Sequence, residues 1–159
     1  MVELKTGMKA PQFCLMDFNN NKICLKKLEG NWIVLYFYPK DNTSGCTIEA
    51  QEFTGLHEEF KKNECLVIGI SPDNCASHQK FVEKYELTIQ LLSDPEKKVL
   101  TEYGVWREKS MYGKKYMGVL RSTALINPTG NIEKIYYGVS AKGHAKEILD
   151  ELKTLRTKN

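Results

Sequence analysis

A single cysteine stands between a turn-forming stretch and a predicted helix in the segment PKDNTSGCTIEAQ, residues 39–51. Cys46 has no partner at the short spacings of metal sites or redox pairs, because the sequence contains no C-x-x-C motif. In the first turn of a helix, unpaired backbone N–H groups and the helix dipole favour a thiolate. The pattern therefore predicts nucleophilic or redox chemistry by one thiol. The alternative is that Cys46 is a small buried hydrophobic residue.

Three neighbours of Cys46 favour the chemical interpretation. Thr43 places a hydroxyl about one helical turn before the thiol. Pro39 stiffens the entry to the loop, and Gly45 allows a substrate to approach the backbone closely.

The elements that must position this loop are a strand before it and a helix after it. WIVLYFYP, residues 32–39, predicts a strand buried on both faces, and CLVIGIS, residues 65–71, predicts a second. Residues 46–62 carry apolar side chains at helical spacing between these runs. This is the length of a right-handed parallel crossover, so the loop of Cys46 leaves the carboxyl end of a central strand, where open α/β sheets place their sites.

The remaining pattern predicts one mixed α/β domain over residues 1–159. An early hairpin turns at residues 19–21, and a helix begins in SPDNCASHQKFVEKY after the second buried strand. A short strand, IQLLSD, leads into a helix started by Pro95. Two strands then turn at residues 128–130, and the last helix covers residues 145–155. The order of elements predicts a mixed sheet with helices on both faces.

Composition limits the classes of function. The chain has 159 residues, 42% of them hydrophobic and 27% charged, and a net charge of +3, so one globular domain without a nucleic-acid partner is expected. No membrane span or signal peptide is apparent, which predicts the cytoplasm. The cysteines are odd in number and lack paired motifs, which predicts free thiols in a reducing compartment. They are Cys14, Cys24, Cys46, Cys65 and Cys75.

The stretch YFYPKDNTSGCTIEA resembles the active-site loop of the peroxiredoxins, whose P-x-x-x-T-x-x-C pattern falls on Pro39, Thr43 and Cys46. It is most similar to the branch of bacterioferritin comigratory protein, or peroxiredoxin Q. KAPQFCL, ISPDNCASHQKFVEKY and YGVWREKSMYGKKYMGVLRSTALINPTG extend the similarity to about residues 7–155. The resemblance implies a thioredoxin-like fold with an N-terminal hairpin, and thiol-dependent reduction of hydrogen peroxide and organic hydroperoxides in antioxidant defence. It implies no metal or organic cofactor.

The resemblance also implies roles for individual residues. The family's active-site arginine falls on Arg121, which would stabilise the thiolate and donate to a peroxide oxygen. Thr43 would donate or relay a hydrogen bond, and Pro39 would shield the sulfur from water. Glu49 matches the branch's C-T-x-E pattern. It either pairs with Arg121 and orients it, or is an ordinary exposed acid of a helix's first turn.

The chain departs from the branch at the residue that resolves the sulfenic acid. Many members carry a second cysteine five residues after the first, where this chain has Gln51. Cys75 is an internal candidate, although related resolving cysteines align nearer Val82. Otherwise the protein is a one-cysteine enzyme reduced by thioredoxin, glutaredoxin or a small thiol. Cys14, Cys24 and Cys65 are expected at core or strand positions.

Other candidate features favour different functions only weakly. A cysteine hydrolase would need a histidine beside Cys46, but His57 lies about three turns along the same predicted helix. His78 and His144 are expected on helix surfaces, and REKSMYGKKY is expected to be a solvated loop. A disulfide reductase and a non-catalytic holdase are the two rival functions. By analogy with the branch, the protein is expected to be a monomer, with a weak dimer as the alternative.

Overall fold

A computed structural model describes residues 3–158. Its seven-stranded sheet has the order β2-β1-β5-β4-β3-β8-β9, and β6 and β7 form a separate hairpin. The strands are β1 (Cys14–Asp17), β2 (Lys22–Cys24), β3 (Trp32–Phe37), β4 (Cys65–Ser71), β5 (Gln90–Ser93), β6 (Trp106–Met111), β7 (Lys114–Val119), β8 (Ser122–Ile126) and β9 (Ile132–Tyr137). The helices are α1 (Ser44–Gly55), α2 (His57–Lys62), α3 (Cys75–Tyr85), α4 (Lys98–Glu102) and α5 (His144–Thr157). A 3₁₀ turn covers Leu25–Leu28.

The central strand β3 is buried along its whole length, as its uninterrupted apolar sequence predicts. It pairs in parallel with β4 and antiparallel with β8, and β4 pairs in parallel with β5. Alternate side chains of β3 enter two hydrophobic cores, one on each face of the sheet. The predicted mixed sheet flanked by helices is confirmed, and the carboxyl ends of three parallel strands meet at one edge.

The crossover between β3 and β4 consists of two helices, whereas the sequence predicts one over residues 46–62. Helix α1 ends at Gly55, and α2 begins at His57. Glycine stabilises a helix interior poorly, and Leu56 between the helices has φ −103° and ψ 6°, which turns the axis. The loop before α1 is at the predicted carboxyl edge of the sheet.

The N-terminal hairpin contains a disulfide that corrects the sequence prediction of free thiols. Cys14 and Cys24 lie directly opposite each other in β1 and β2, with 4.0 Å between their Cα atoms, and their sulfurs are bonded. The backbone bond from Leu25 N to Phe13 O marks the neighbouring hydrogen-bonded pair, so the cysteines form a non-hydrogen-bonded pair, where side chains are closest. Spacing in the sequence does not reveal this because the hairpin register determines the pairing.

Two further predictions of local structure are wrong. The helix after Pro95 starts at Lys98, because Lys97 takes a left-handed conformation with φ 62° and the Asp94 carboxylate accepts from the Leu100 N–H. The stretch predicted to be a loop forms the hairpin β6–β7, which turns through Tyr112 and Gly113 at positive φ. Within residues 3–158, no helix is both long enough and apolar enough to cross a membrane.

Candidate active site

Cys46 is in the first turn of α1, directly after the loop that leaves β3. Its side chain is 1% exposed, and the first turn is closed by the bond from Thr47 N to Thr43 O at 2.9 Å. The thiol lies in the core cluster formed by the α1 side of the sheet. The loop after β3 therefore places a buried thiol at a helix N-terminus, where backbone N–H groups favour an anion.

Arg121 is the cation that faces this thiol. It comes directly before β8, which pairs with β3, so the sheet brings it to the same edge although 75 residues separate it from Cys46. Its Nη2 lies 3.3 Å from Cys46 Sγ, and its Nη1 donates to Glu49 Oε1 at 2.6 Å. The arginine side chain is 17% exposed and that of Glu49 is fully buried. One guanidinium thus joins the thiol to a buried carboxyl group.

The electrostatics of this trio are strongly coupled. Burial raises the pKa of Glu49 from 4.5 to about 7, although the charge and hydrogen bonds of Arg121 act in the opposite direction. Its Oε2 atom has no hydrogen-bond partner among the described residues, which adds to the cost of ionising the carboxyl group. Burial lowers the pKa of Arg121, but the negative charges of Glu49 and Cys46 outweigh it and raise the pKa. The guanidinium therefore stays positive beside the thiol.

The loop residues around Cys46 leave little free space for the arginine. A Cβ atom added to Gly45 would lie 3.1 Å from Arg121 Nη2, so the glycine permits the close approach of the guanidinium. The Thr43 hydroxyl donates to the Lys40 carbonyl at 2.8 Å, which leaves its oxygen able to accept a hydrogen bond. Pro39 is half-buried at the start of the loop.

A buried polar cluster, which the sequence did not reveal, anchors the same loop to α3. The Asp41 carboxylate accepts from Tyr38 Oη at 2.6 Å and from Ser77 Oγ at 2.7 Å. It also lies 2.7 Å from His78 Nδ1, and the Asp41 N–H donates to Asp73 at 2.7 Å. The prediction that His78 is a surface residue is wrong, because this cluster compensates the burial of a polar ring. The remaining nitrogen, His78 Nε2, lies 3.0 Å from the Leu92 carbonyl.

Asp41, Asp73 and His78 have the residue types of a metal site and place their ligand atoms within 4.8 Å of one another. Both nitrogens of His78 are already engaged, one by the Asp41 carboxylate and one by a backbone carbonyl. The Asp73 carboxylate likewise accepts from the Asp41 N–H and from a serine hydroxyl. The cluster therefore acts as an internal anchor that fixes the start of the Cys46 loop.

Two other side chains near the site escaped the sequence analysis. His144 was expected on a helix surface but is 3% exposed, with Nε2 2.8 Å from Thr123 Oγ1 and Nδ1 2.9 Å from Glu147. Lys109, on β6, is half-buried, and burial together with the charge of Arg121 lowers its pKa. Both signals depend on contacts between distant segments, which single residues in a sequence do not disclose.

The two positions considered for a resolving cysteine, residues 51 and 75, lie on different helices. Gln51 is exposed on α1, and Cys75 is half-exposed at the first residue of α3, as predicted. The Cys75 thiol is directed to the Met16 carbonyl of β1, with Sγ 3.9 Å from the oxygen. Cys65 is a buried thiol of β4, which confirms its core position. Cys75 is therefore closer to the N-terminal hairpin than its place in the sequence suggests.

Residues 6–135 match the AhpC/TSA family. The chain belongs to this family. A peroxiredoxin Bcp of Helicobacter pylori strain J99, itself designated putative, is 47% identical over 152 residues, which cover 96% of this chain and all of that protein. Peroxiredoxin Bcp of Bacillus subtilis is 42% identical over 98% of this chain and 99% of its own. The protein is thus a peroxiredoxin, a thiol peroxidase, as the resemblance predicted.

Solved structures agree with this assignment. Bacterioferritin comigratory protein of Xanthomonas campestris superimposes with a TM-score of 0.89 at 34% identity, covering 94% of this chain and 98% of its own. Peroxiredoxin Q of Xylella fastidiosa, in a cysteine-to-serine variant, superimposes with a TM-score of 0.93 at 34% identity, covering 98% and 99%. The thioredoxin-like fold of the peroxiredoxins is therefore confirmed.

Proposed function

We propose that Cys46 is the peroxidatic cysteine and that Arg121, Thr43 and Pro39 complete the catalytic group. The observation that carries this proposal is the 3.3 Å approach of Arg121 Nη2 to the buried Cys46 sulfur at a helix N-terminus. A fixed cation and a helix N-terminus both favour the anionic thiolate, which is the nucleophilic form. Cys75 and Cys65 have no comparable cation within hydrogen-bond distance among the described residues.

The reaction is an attack of the Cys46 thiolate on one peroxide oxygen. The S–O bond forms as the O–O bond breaks, and the second oxygen leaves with a proton as water or alcohol. Charge moves from sulfur to the leaving oxygen, so the Arg121 guanidinium and the Cys46 N–H stabilise the transition state when they are already in place. Because Thr43 donates to Lys40, its oxygen is free to accept the O–H of an incoming hydroperoxide. Pro39 excludes water from one side of the sulfur.

Glu49 is a positioning residue in this proposal. Its Oε1 accepts from Arg121 Nη1 at 2.6 Å and so holds the guanidinium, whose other terminal nitrogen, Nη2, faces the thiol. Gly45 makes room for the guanidinium, because a Cβ atom there would lie 3.1 Å from Arg121 Nη2, the nitrogen that faces Cys46.

The proposed substrates are hydrogen peroxide and organic hydroperoxides. The Xanthomonas campestris relative is described as reducing alkyl peroxides, which supports the organic substrates. The sulfenic acid then passes to a second thiol, and Gln51 removes the usual intrahelical partner. Either Cys75 resolves it after Cys46 leaves its pocket, or an external thiol such as thioredoxin, glutaredoxin or a small thiol does so directly.

The proposal also covers domain organisation, oligomeric state, partners and cellular compartment. Residues 1–159 would act as one domain and a monomer, without nucleic acid or membrane as partner. A thiol-dependent reaction supports a reducing compartment, the cytoplasm.

The test is peroxide consumption with dithiothreitol as the electron donor. The Cys46→Ser variant is expected to lose nearly all peroxide turnover, whereas the matched Cys65→Ser variant retains wild-type turnover. Peptide-mapped mass spectrometry with a sulfenic-acid trap then distinguishes a Cys46–Cys75 disulfide from a trapped acid on Cys46. Full activity of Cys46→Ser would refute the proposal.

A further inference from the structure

The Cys14–Cys24 disulfide lies at the edge of the sheet, outside the site described above. Cys14 is exposed and Cys24 is half-buried, so external molecules can reach the sulfurs. Strand β2 is an edge strand of three residues that pairs only with β1. The bond therefore joins two elements at the edge of the sheet.

A largely apolar groove of about 470 Å³ opens beside this disulfide. It is lined by both cysteines together with Gln12, Phe13, Lys26 and Lys27. The two lysines are exposed and follow Cys24 by two and three residues. Their charges attract an incoming thiolate and stabilise the thiolate that leaves when a disulfide is attacked. The groove therefore combines apolar walls with two cationic residues beside the disulfide.

The hairpin register keeps the two sulfurs opposite each other in either redox state. They occupy a non-hydrogen-bonded pair of the ladder, and backbone bonds on each side, from Leu25 N to Phe13 O and from Asp17 N to Asn21 O, hold the strands without the disulfide. Two thiols released by reduction therefore remain adjacent and are able to form the same bond again.

We propose that Cys14 and Cys24 form a second redox site, which external thiols reduce at this groove and peroxide re-forms. In the first half, a thiolate attacks the exposed Cys14 sulfur, and Cys24 leaves as a thiolate beside Lys26 and Lys27. A second thiol of the reductant displaces Cys14, so two electrons enter and the reductant becomes a disulfide. In the second half, one cysteine thiolate reduces the peroxide to water or alcohol and becomes a sulfenic acid. The other thiol then attacks that sulfur, releases water and restores the disulfide.

Cys75 is the third thiol in this part of the molecule. Its sulfur contacts the Met16 carbonyl, and Met16 is two residues after Cys14 on the same strand. Alternate residues of a strand share a face, so Cys14 and Met16 point to the same side of the sheet. The pairing proposed here is between Cys14 and Cys24, and a bond from Cys75 to either would contradict it.

The experiment uses the full chain with Cys46→Ser, which removes the peroxidatic thiol and isolates the second site. The folded protein is titrated with dithiothreitol, the thiols are alkylated, and the peptides are mapped by mass spectrometry. Cys14 and Cys24 are expected to be labelled together while buried Cys65 stays unlabelled. After removal of the dithiol, one equivalent of hydrogen peroxide is expected to restore the Cys14–Cys24 peptide.

Three results would overturn the proposal. In the first, Cys14 and Cys24 are labelled only as Cys65 becomes labelled, so that reduction requires unfolding. In the second, the two thiols survive peroxide. In the third, Cys75 forms the disulfide. None of these results affects the proposed role of Cys46. Full peroxide turnover in the Cys46→Ser variant would refute that role without affecting the second site.

Two further measurements identify the class of reductant and test whether the groove takes part in the reduction. The rate of reduction is compared between dithiothreitol and a thioredoxin kept reduced by its own reductase. A faster reaction with thioredoxin identifies a protein reductant, and a faster reaction with dithiothreitol identifies a small thiol.

Substitution of Lys26 and Lys27 by alanine is expected to slow the reduction about threefold to tenfold, because a cation no longer assists the leaving thiolate. The matched control replaces Lys61 and Lys62, at the end of α2, which packs against the interior strand β4. Equal rates in both lysine variants would exclude the groove.

Discussion

The two sulfur sites of this molecule are built in opposite ways. Cys46 is buried, faces one arginine and depends on contacts between α1 and the residue before β8. The disulfide of Cys14 and Cys24 is accessible, has only exposed lysines nearby and is formed within one hairpin, ten residues apart in sequence. In this molecule the buried thiol depends on contacts between distant segments for the charge beside it, whereas the paired thiols depend only on a strand register.

This difference predicts different sensitivity to mutation. Removing one partner of a buried charged group leaves the others uncompensated, so the Cys46 site should respond strongly to single substitutions. At an exposed site, solvent replaces a lost contact. Substitutions in the hairpin should therefore change peroxide turnover only weakly.

Arg121→Ala should produce the largest effect. Loss of a preorganised donor to developing charge costs about 10²- to 10³-fold in turnover, so peroxide reduction should fall by that range. Arg121→Lys should recover only part of it, because an ammonium group does not bridge Cys46 and Glu49 as the planar guanidinium does. Steady-state peroxide consumption is the measurement, with Arg156→Ala as control. A loss of similar size in the control would show that the effect is general.

Glu49→Gln should change how stability depends on pH. The folded-state pKa of about 7 lies above the ordinary value of 4.5, so the fold favours the neutral carboxyl group. Its contribution to stability is fully present below pH 4.5 and is lost as the pH rises through about 7. The free energy of unfolding that this carboxyl group contributes differs by on the order of 3 kcal/mol between the two pH limits. Urea unfolding at pH 5 and pH 8 should show this decline in the wild type and a smaller decline in the variant.

The same ionisation should appear in the activity. Charged Glu49 holds Arg121 more firmly than its neutral form, so peroxide reduction should rise as the pH passes through about 7. Glu49→Gln should lose that inflection, and the exposed Glu58→Gln should keep it. Identical pH profiles for wild type and Glu49→Gln would remove Glu49 from the site.

Replacement of both Cys14 and Cys24 by serine should affect stability but leave the reaction at Cys46 nearly unchanged. A disulfide closing a short loop contributes about 2–3 kcal/mol, mainly by restricting the unfolded chain. Urea unfolding should show that loss without reductant, and dithiothreitol should abolish the difference between variant and wild type. Single-turnover peroxide reduction should stay within about twofold, since no residue at Cys46 belongs to the hairpin. A tenfold loss would mean that the two sites are coupled.

Gly45→Ala should reduce turnover less than Arg121→Ala does. Its new Cβ would lie 3.1 Å from Arg121 Nη2, so the guanidinium must shift away from the thiol. This displacement of the guanidinium is expected to lower turnover about tenfold. Gly55→Ala, in the same helix with nothing within 4 Å of the added atom, is the control and should keep full activity. Equal activity of both variants would show that Arg121 has more freedom than the contact implies.

Local patterns in the sequence predicted the elements well. The apolar run before Pro39 predicted the buried strand β3, and the asparagine before Cys75 predicted the start of α3, which Asn74 caps through the Ser77 N–H. Predictions were wrong where one residue altered a boundary, as at Leu56 between α1 and α2 and at Lys97 before α4. Backbone conformation at single residues depends on tertiary contacts, which propensity does not include.

For the candidate site, the sequence identified the residue types but not their burial. Pro39, Thr43, Cys46 and Arg121 could be named from a motif, whereas His78 and His144 were expected at the surface and are buried. A polar ring is buried only when partners from other segments satisfy it, and the Asp41 carboxylate that does so for His78 lies 37 residues away.

By itself, the sequence determined the order along the chain of the strands in the main sheet, the thiol at the start of α1 and the absence of a second cysteine at residue 51. These follow from hydrophobic periodicity, capping and residue identity, which are local properties. Only the tertiary structure decided that Arg121 joins Cys46 to a buried Glu49, and that Cys14 is bonded to Cys24. The physical reason is that strand pairing and burial bring together residues whose separation in the chain carries no information about their separation in space.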